Sequence, residues 1–513
     1  LLEAMSQSPE SRLPLAAEQP LDAPHAAPSE AATVPSARSP SKHPRLASLD
    51  VVRGLTMAVM ILVDEIGDAY PAVNHSPWNN VTLADFVMPW FLFMVGTSMA
   101  MSLRRFKTNR QSRVEGTRHV AIRAIKLWLL GMLLQGGGWI GNYQFGYNLS
   151  TLRFCGILQR IAYAFFVAAL IELWLPELQW GNGRSPHLAV FTKHSWKWLA
   201  ALSFVVLHVA LTFGTFVPSW QSKWGLDVLS GGSVLLKNPF EVVCDVRGVV
   251  DSPECSATGF YDRLLFGQNH LGTWMSTRLP ECSSCSPGGP SHRYRPSCHH
   301  LTTEPWCFAQ MYDPEGALAT VPSVMSVWFG VHFGRTLEVD GIGRRAGLIL
   351  HWVICAVALL AAGLAVHFAF WPMNKQLWST SYLLFMAGSC GLALTFVYVA
   401  IDVSVPGGRS PLRERLFKKM LSPLQMMGMN AILVFFWHGT AETLLDVVFV
   451  AAPKTGGGTR NPEKGSLFGE YGWFHEHALG FIDDLQFRQL VYVLLKIGCF
   501  FVGTWLCYRR GYF

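Results

Sequence analysis

The sequence predicts an all-α polytopic membrane protein of about ten transmembrane helices with a disulfide-rich external loop. Three observations carry that prediction. Half of the 513 residues are apolar and only 15% are charged, with a mean hydropathy of +0.27, whereas a soluble protein carries about 25% charge. Apolar runs recur near 51–70, 80–103, 119–138, 155–175, 197–217, 317–336, 346–368, 378–401, 424–450 and 487–508. Basic residues also alternate between the connecting loops.

The charge alternation orients the chain. The connector after the second apolar run holds Arg104, Arg105, Lys107, Arg110, Arg113, Arg118, Arg123 and Lys126, and the one after the eighth holds Arg409, Arg413, Arg415, Lys418 and Lys419. Arg344 and Arg345 follow the sixth run, and Arg509 and Arg510 lie near the end. The intervening short loops are poor in base, so both termini are expected in the cytosol. The net charge of +7 then reflects this anchoring bias, and no nucleic-acid partner is expected. The lipid bilayer is the first partner implied.

Residues 1–44, rich in Ala, Pro, Ser and Glu, read as a disordered cytosolic tail. No signal peptide is visible, so the first apolar run is expected to direct insertion. Residues 45–513 form the transmembrane domain, interrupted by two external loops, 218–316 and 451–486. The first contains Cys244, Cys255, Cys282, Cys285, Cys298 and Cys307, an even number on the side where disulfides persist. Six cysteines allow fifteen pairings. A zinc site using Cys282, Cys285, His299 and His300 is the less favoured reading, and no metal is expected. Cys155, Cys355, Cys390, Cys499 and Cys507 fall in apolar runs and read as small core residues. Asn148-Leu-Ser150 is a glycosylation sequon in a loop assigned outside.

The stretch Arg45–Gly96 is chemically the richest. Its first apolar run opens on Arg45, Asp50 and Arg53 and is followed by Asp64, Glu65 and Asp68, then His75, Trp78, Asn79 and Asn80. A helix from Asp50 to Asp64 rises about 21 Å, which leaves Asp64 at membrane depth. Ionisable groups there are costly and face a wet cavity or a partner. His75 is the candidate base or acyl-carrying nucleophile; the plainer alternative is an exposed loop histidine. Asp64 and Asp68 share a helix face and suit orienting an imidazole or an acceptor, unless the helix simply frays there. Asp85 fits a capping box with Thr82. Arg53 is spaced to pair with Asp50 and suits a cofactor phosphate or, almost as well, ordinary positive-inside anchoring; Arg160, inside the fourth run, needs an anion or a carboxylate, which a cofactor phosphate would supply. Gln159 precedes Arg160. Asn374, Lys375 and Trp378 supply the amide, ammonium and indole groups that a sugar or an interfacial belt would use. His438 either lines the same cavity or is a bonded core histidine.

These residues carry a resemblance. RLASLDVVRG, HSPWNNVTLADFVMPWFLFMVG, GILQRI, YDRLLFGQNHL, YDPEG, NKQLWSTSY and GMNAILVFFWHG, spread from residue 45 to the C-terminus, resemble heparan-α-glucosaminide N-acetyltransferase and its plant and bacterial homologues. The resemblance implies a lysosomal-type, or vacuolar, membrane enzyme that moves acetyl from cytosolic acetyl-CoA to a luminal glucosamine or related glycan. No permanently bound cofactor is implied, and a homodimer is allowed. The active-site histidine of the family falls on His75. Asp64 stands where the animal enzyme has asparagine and the plant-like homologues keep aspartate. On this resemblance the tail is expected to stand in place of the animal enzyme's large N-terminal luminal domain and its extra first helix.

The expected mechanism combines these parts. Acetyl-CoA enters from the cytosol with its phosphates held by Arg53 and Arg160. His75 serves as base or carrier, Asp64 orients it, and Asn79 donates to the oxyanion. Gln159, Asp85, Trp78, Asn374, Lys375, Trp378 and His438 line the substrate path. In an acidic lumen a catalytic base requires a lowered pKa or a shielded cavity. The alternative is a transporter or proton-coupled exporter built on the intramembrane acids; the missing internal repeat weighs against it. A receptor using the stapled loop leaves those acids unexplained.

Overall fold

Helices form at all ten apolar segments in the computed structural model, which describes residues 46–67, 69–70, 72–140, 144–147, 149–178, 186–222, 226–228, 234–236, 240–272, 311–337, 345–403, 411–448 and 474–512. In chain order they are α1 (Ala47–Ile66), α2 (Val87–Leu103), α3 (Arg110–Gly136), α4 (Ile157–Trp174), the short α5 (Pro186–Lys193), α6 (Ser195–Gly214), α7 (Ala257–Phe266), α8 (Ala317–Thr320), α9 (Ser323–Thr336), α10 (Arg345–Ala369), α11 (Thr380–Ile401), α12 (Pro411–Met429), α13 (Ala431–Val448) and α14 (Leu485–Arg509). Among the described residues, seven spans are long and apolar enough to cross a bilayer, and an eighth if the α12–α13 pair counts as one. The helices that fall short are α1 and α3. They lose on charge and not on length: α1 carries Asp50, Arg53, Asp64 and Glu65, and α3 opens on its arginines.

Close backbone contact explains how α1 sits inside the bundle despite those charges. A Cβ on Gly54 would fall 1.8 Å from the Leu424 carbonyl oxygen, and one on Gly428 the same distance from that of Asp50. The α2–α9 pair repeats the arrangement, with Gly96 against Val327 and Gly330 against Phe93. In a membrane, small residues let helices approach until van der Waals contact holds them. The break between α12 and α13 bends by 72°. There the Met426 carbonyl accepts both from the Asn430 backbone N–H at 3.3 Å and from its side-chain amide at 3.1 Å, so a polar side chain adds a local bond at the kink.

The segment between α6 and α7 departs from an all-helical reading. Six short strands pair as Phe216–Val217 with Val246–Arg247, Trp220–Ser222 with Phe240–Val242, and Leu226–Val228 with Val234–Leu236, all antiparallel. Their registers nest, which makes one long two-stranded ribbon. A second hairpin joins Gly137–Ile140 to Gln144–Tyr147. Cys244 and Cys255 form a disulfide at the base of the ribbon. The other four loop cysteines lie outside the described residues, as do the tail, Asp68, Asn148 and most of 451–486. All five cysteines assigned to apolar runs are free thiols.

Candidate active site

Two loops at one end of the bundle build the site. The first joins α1 to α2 and contains His75; the second joins α10 to α11 and contains Lys375. Asn79 and Asn374 bridge them in an isolated antiparallel pair. The Asn80 N–H donates to the Met373 carbonyl at 2.8 Å, and Asn374 Nδ2 donates to Asn79 Oδ1 at 3.3 Å. Asn80 and Trp378, one in each loop, adopt positive φ of 76° and 51°. For a bulky indole that conformation is strained and persists only where its surroundings hold it. Here Trp378 is fully buried, against the Tyr382 ring at 5.3 Å.

The capping box expected at Thr82 and Asp85 is present, on a 3-10 turn at Leu83–Phe86 that leads into α2. Asp85 does a second thing that the box alone does not reveal. Its Oδ2 accepts from the backbone N–H groups of Thr82 at 3.0 Å and Ser76 at 3.1 Å. Its Oδ1 lies 2.9 Å from His75 Nδ1 and 3.5 Å from Lys375 Nζ. Lys375 Nζ is also 2.8 Å from that imidazole nitrogen. His75 Nδ1 therefore meets a carboxylate and an ammonium at once: as an N–H it donates to Asp85 and leaves the lone pair on Nε2, and as a bare nitrogen it accepts from Lys375. Tyr382 donates to the Asp85 carbonyl at 2.6 Å and locks the turn to α11. Burial, and then the Lys375 charge, hold the His75 pKa below its ordinary 6.5 against the opposing pull of Asp85.

A buried charged shell backs the cluster. Arg153 makes paired 2.6 Å bonds to both oxygens of Asp313 and also bonds Glu315. Arg160, 1% exposed, donates to Thr320 Oγ1 at 3.1 Å and the Pro314 carbonyl at 3.0 Å. Its guanidinium stacks 4.7 Å over the Trp378 ring. Asp262 caps the same turn by accepting from the N–H groups of Asp313 and Ala317; burial, with the Asp313 charge, pushes it up to about 7. Arg153, Asp262, Asp313 and Glu315 were not singled out from sequence, although the YDPEG turn was.

Several expected roles change. Arg160 does not join Arg53: it lies in the first turns of α4, at the His75 end, with protein groups on its guanidinium. Arg53 is at the other end of α1, where it pairs with Asp50 at 3.0 Å and Ser98 at 2.7 Å. Gln159 faces α3, donating to Gln135 at 3.2 Å. The Asp64 charge raises the His75 pKa from a distance, after the larger pull of Asp85. Asp64 lies 3.6 Å from His438, whose other nitrogen is 3.8 Å from Glu65, and Glu65 binds Lys496 at 2.5 Å. The Asn79 amide is taken up by Asn374 and by Asp251 Oδ1 at 3.1 Å, which suits a clamp between loops better than an oxyanion donor. Trp78 is buried, its indole donating to the Val250 carbonyl at 2.9 Å.

A helical bundle with several apolar spans and a buried His–Asp–Lys cluster at one end defines a multi-pass membrane protein with a polar site. Residues 45–218 match the family model described as heparan-alpha-glucosaminide N-acetyltransferase, catalytic. The chain is 27% identical over 409 residues to the heparan-alpha-glucosaminide N-acetyltransferase of Mus musculus, a match covering 78% of this chain and 54% of that protein. It is also 27% identical over 410 residues to the Homo sapiens protein of that name, covering 78% and 53%. The chain thus spans about half the length of the curated relatives it matches. The similarity to heparan-alpha-glucosaminide N-acetyltransferases extends over 78% of this chain.

Proposed function

We propose that this chain is a transmembrane acetyltransferase that moves acetyl from cytosolic acetyl-CoA to the amine or hydroxyl of a luminal amino sugar or related glycan. The observation that carries the reading is the Asp85–His75 pair beside Lys375. An imidazole whose Nδ1 faces a buried carboxylate is oriented to accept a proton at Nε2. In the reaction, Nε2 takes the proton of the attacking amine or hydroxyl as that atom bonds to the thioester carbonyl carbon. The carbon–sulfur bond then breaks, and the proton passes to the departing thiolate.

The depressed His75 pKa supports a base that stays neutral in a mildly acidic lumen. Asp85 orients the ring, in place of the Asp64 expected from sequence. Lys375 contacts the Nδ1 side of the ring and Asp85 Oδ1, so it tunes the imidazole from behind and does not face the reacting carbonyl. Arg53 lies on the end of α1 nearest the basic connector of Arg104, Arg105 and Lys107, and suits the phosphates of the donor. Cytosolic termini and a lysosomal or vacuolar membrane follow from the charge alternation and the resemblance. Acetyl-CoA is a co-substrate, the glycan is the acceptor, and a homodimer remains compatible.

The test is purified protein in detergent, given radiolabelled acetyl-CoA and a panel of amino sugars. The wild type is expected to release CoA and label an acceptor, and His75→Ala to lose about a thousandfold in rate. Movement of a solute across proteoliposomes without thioester consumption would support the exporter reading instead.

A further inference from the structure

Away from the His75 cluster, two helices bring thiol and imidazole groups together. His332 on α9, and His351 and Cys355 one turn apart on α10, place one ligand atom each within 4.8 Å of the others. The Nε2 atoms of His332 and His351 are 3.1 Å apart. Cys355 Sγ lies 3.6 Å from His351 Nε2 and 3.9 Å from His332 Nε2. We propose that this triangle binds a thiophilic d10 cation, zinc(II) or copper(I), which clamps α9 to α10.

The geometry and the surroundings both argue for it. A tetrahedral zinc ion with ordinary bond lengths separates two imidazole nitrogens by about 3.3 Å and a nitrogen from a thiolate by about 3.5 Å. The three observed edges lie close to those values before any adjustment. Neither histidine is much exposed, at 4% and 5%. The far nitrogen of His351, Nδ1, meets His187 Nδ1 of α5 at 3.3 Å. With His351 Nδ1 as the donor to His187, Nε2 keeps its lone pair, the arrangement that a metal-ligating histidine uses. Phe191 stacks on His332 at 4.4 Å and Trp198 stands 5.6 Å from it, an apolar wall that would exclude water from a soft site. Two imidazoles and a thiolate select zinc or copper(I) over magnesium or calcium.

The helix so clamped reaches the candidate active site. His332 lies six residues beyond Ser326, whose hydroxyl accepts from the Trp378 indole at 3.3 Å. A metal at His332 would hold α9 in the register that supports Trp378.

The full chain is purified in detergent, stripped with chelator, and reloaded with zinc chloride or, under ascorbate, with copper(I). After desalting, elemental analysis is expected to find about one equivalent of one of these metals in the wild type and little in Cys355→Ser. Which metal is retained separates the two sources. Cobalt(II) substitution should give a thiolate charge-transfer band that Cys355→Ser lacks. His351→Gln, which keeps size and polarity, serves if the serine variant fails to fold. Reloading should raise the thermal midpoint of the wild type alone. Equal metal content in the wild type and both variants, with no charge-transfer band, would reduce the triangle to a hydrogen-bonded core cluster.

Discussion

His75 and His438 each meet a carboxylate beside a lysine, yet the two clusters differ in what surrounds the acid. Asp85 is fully buried and receives backbone N–H groups on one oxygen, so its other oxygen has a fixed direction toward His75 and Lys375. Asp64 is 42% exposed and reaches His438 only at 3.6 Å, while Lys496 engages Glu65. Charges held by backbone and excluded from water are preorganised; exposed charges are screened and pair weakly. The first cluster is therefore the one built to orient an imidazole. The second reads as a polar seam joining α1, α13 and α14.

Removing His75 itself gives the largest effect and sets the scale for the rest. The comparison is sharpest in two asparagine variants. Asp85→Asn should lower kcat by about a hundredfold or more, because the imidazole loses its orienting acceptor. Asp64→Asn should stay within about fivefold, since an exposed pair contributes about 0–1 kcal/mol. Both proteins should bind acetyl-CoA like the wild type. Equal losses in the two would return Asp64 to the role that its position in the chain first suggested.

The acid limb of the pH–rate profile probes the same cluster from the other side. Lys375 helps to hold the His75 pKa below 6.5. A base works only when unprotonated, so a depressed pKa extends activity to lower pH. Removing the lysine charge in Lys375→Met should raise that pKa and move the acid limb upward, with activity lost first at the acidic end. A downward or absent shift would mean that the titration seen in the profile belongs to another group.

How far the sequence could reveal this depends on range. Helices announce themselves through apolar runs, and the Thr82–Asp85 box through its spacing, because both are local. The partnership of Asp85 with His75 needs a loop that folds back over ten residues, and Lys375 arrives from 300 residues away; neither leaves a periodic trace. Arg160 shows a different limit. The charge alternation already assigned the start of α4 to the side of His75, but a buried arginine suggested a phosphate, and its actual partners are a backbone carbonyl, a hydroxyl and the Trp378 face. The ribbon at 216–247 was hidden because its strands are two or three residues long and lack a sustained alternation.

The smallest expected effect links the segment between α6 and α7 to the cluster. Val250 and Asp251, which hold the Trp78 indole and the Asn79 amide, lie inside the loop closed by Cys244 and Cys255. Closing a loop of this size restrains the unfolded chain by about 3 kcal/mol. The double variant Cys244→Ser, Cys255→Ser should therefore unfold at lower temperature. Its kcat/KM should fall only about two- to fivefold, mainly through KM, because the bond positions the Asn79 clamp without touching His75. A fall in kcat as deep as that of Asp85→Asn would place the disulfide loop within the catalytic cluster and erase the distinction between the part that reacts and the part that holds it.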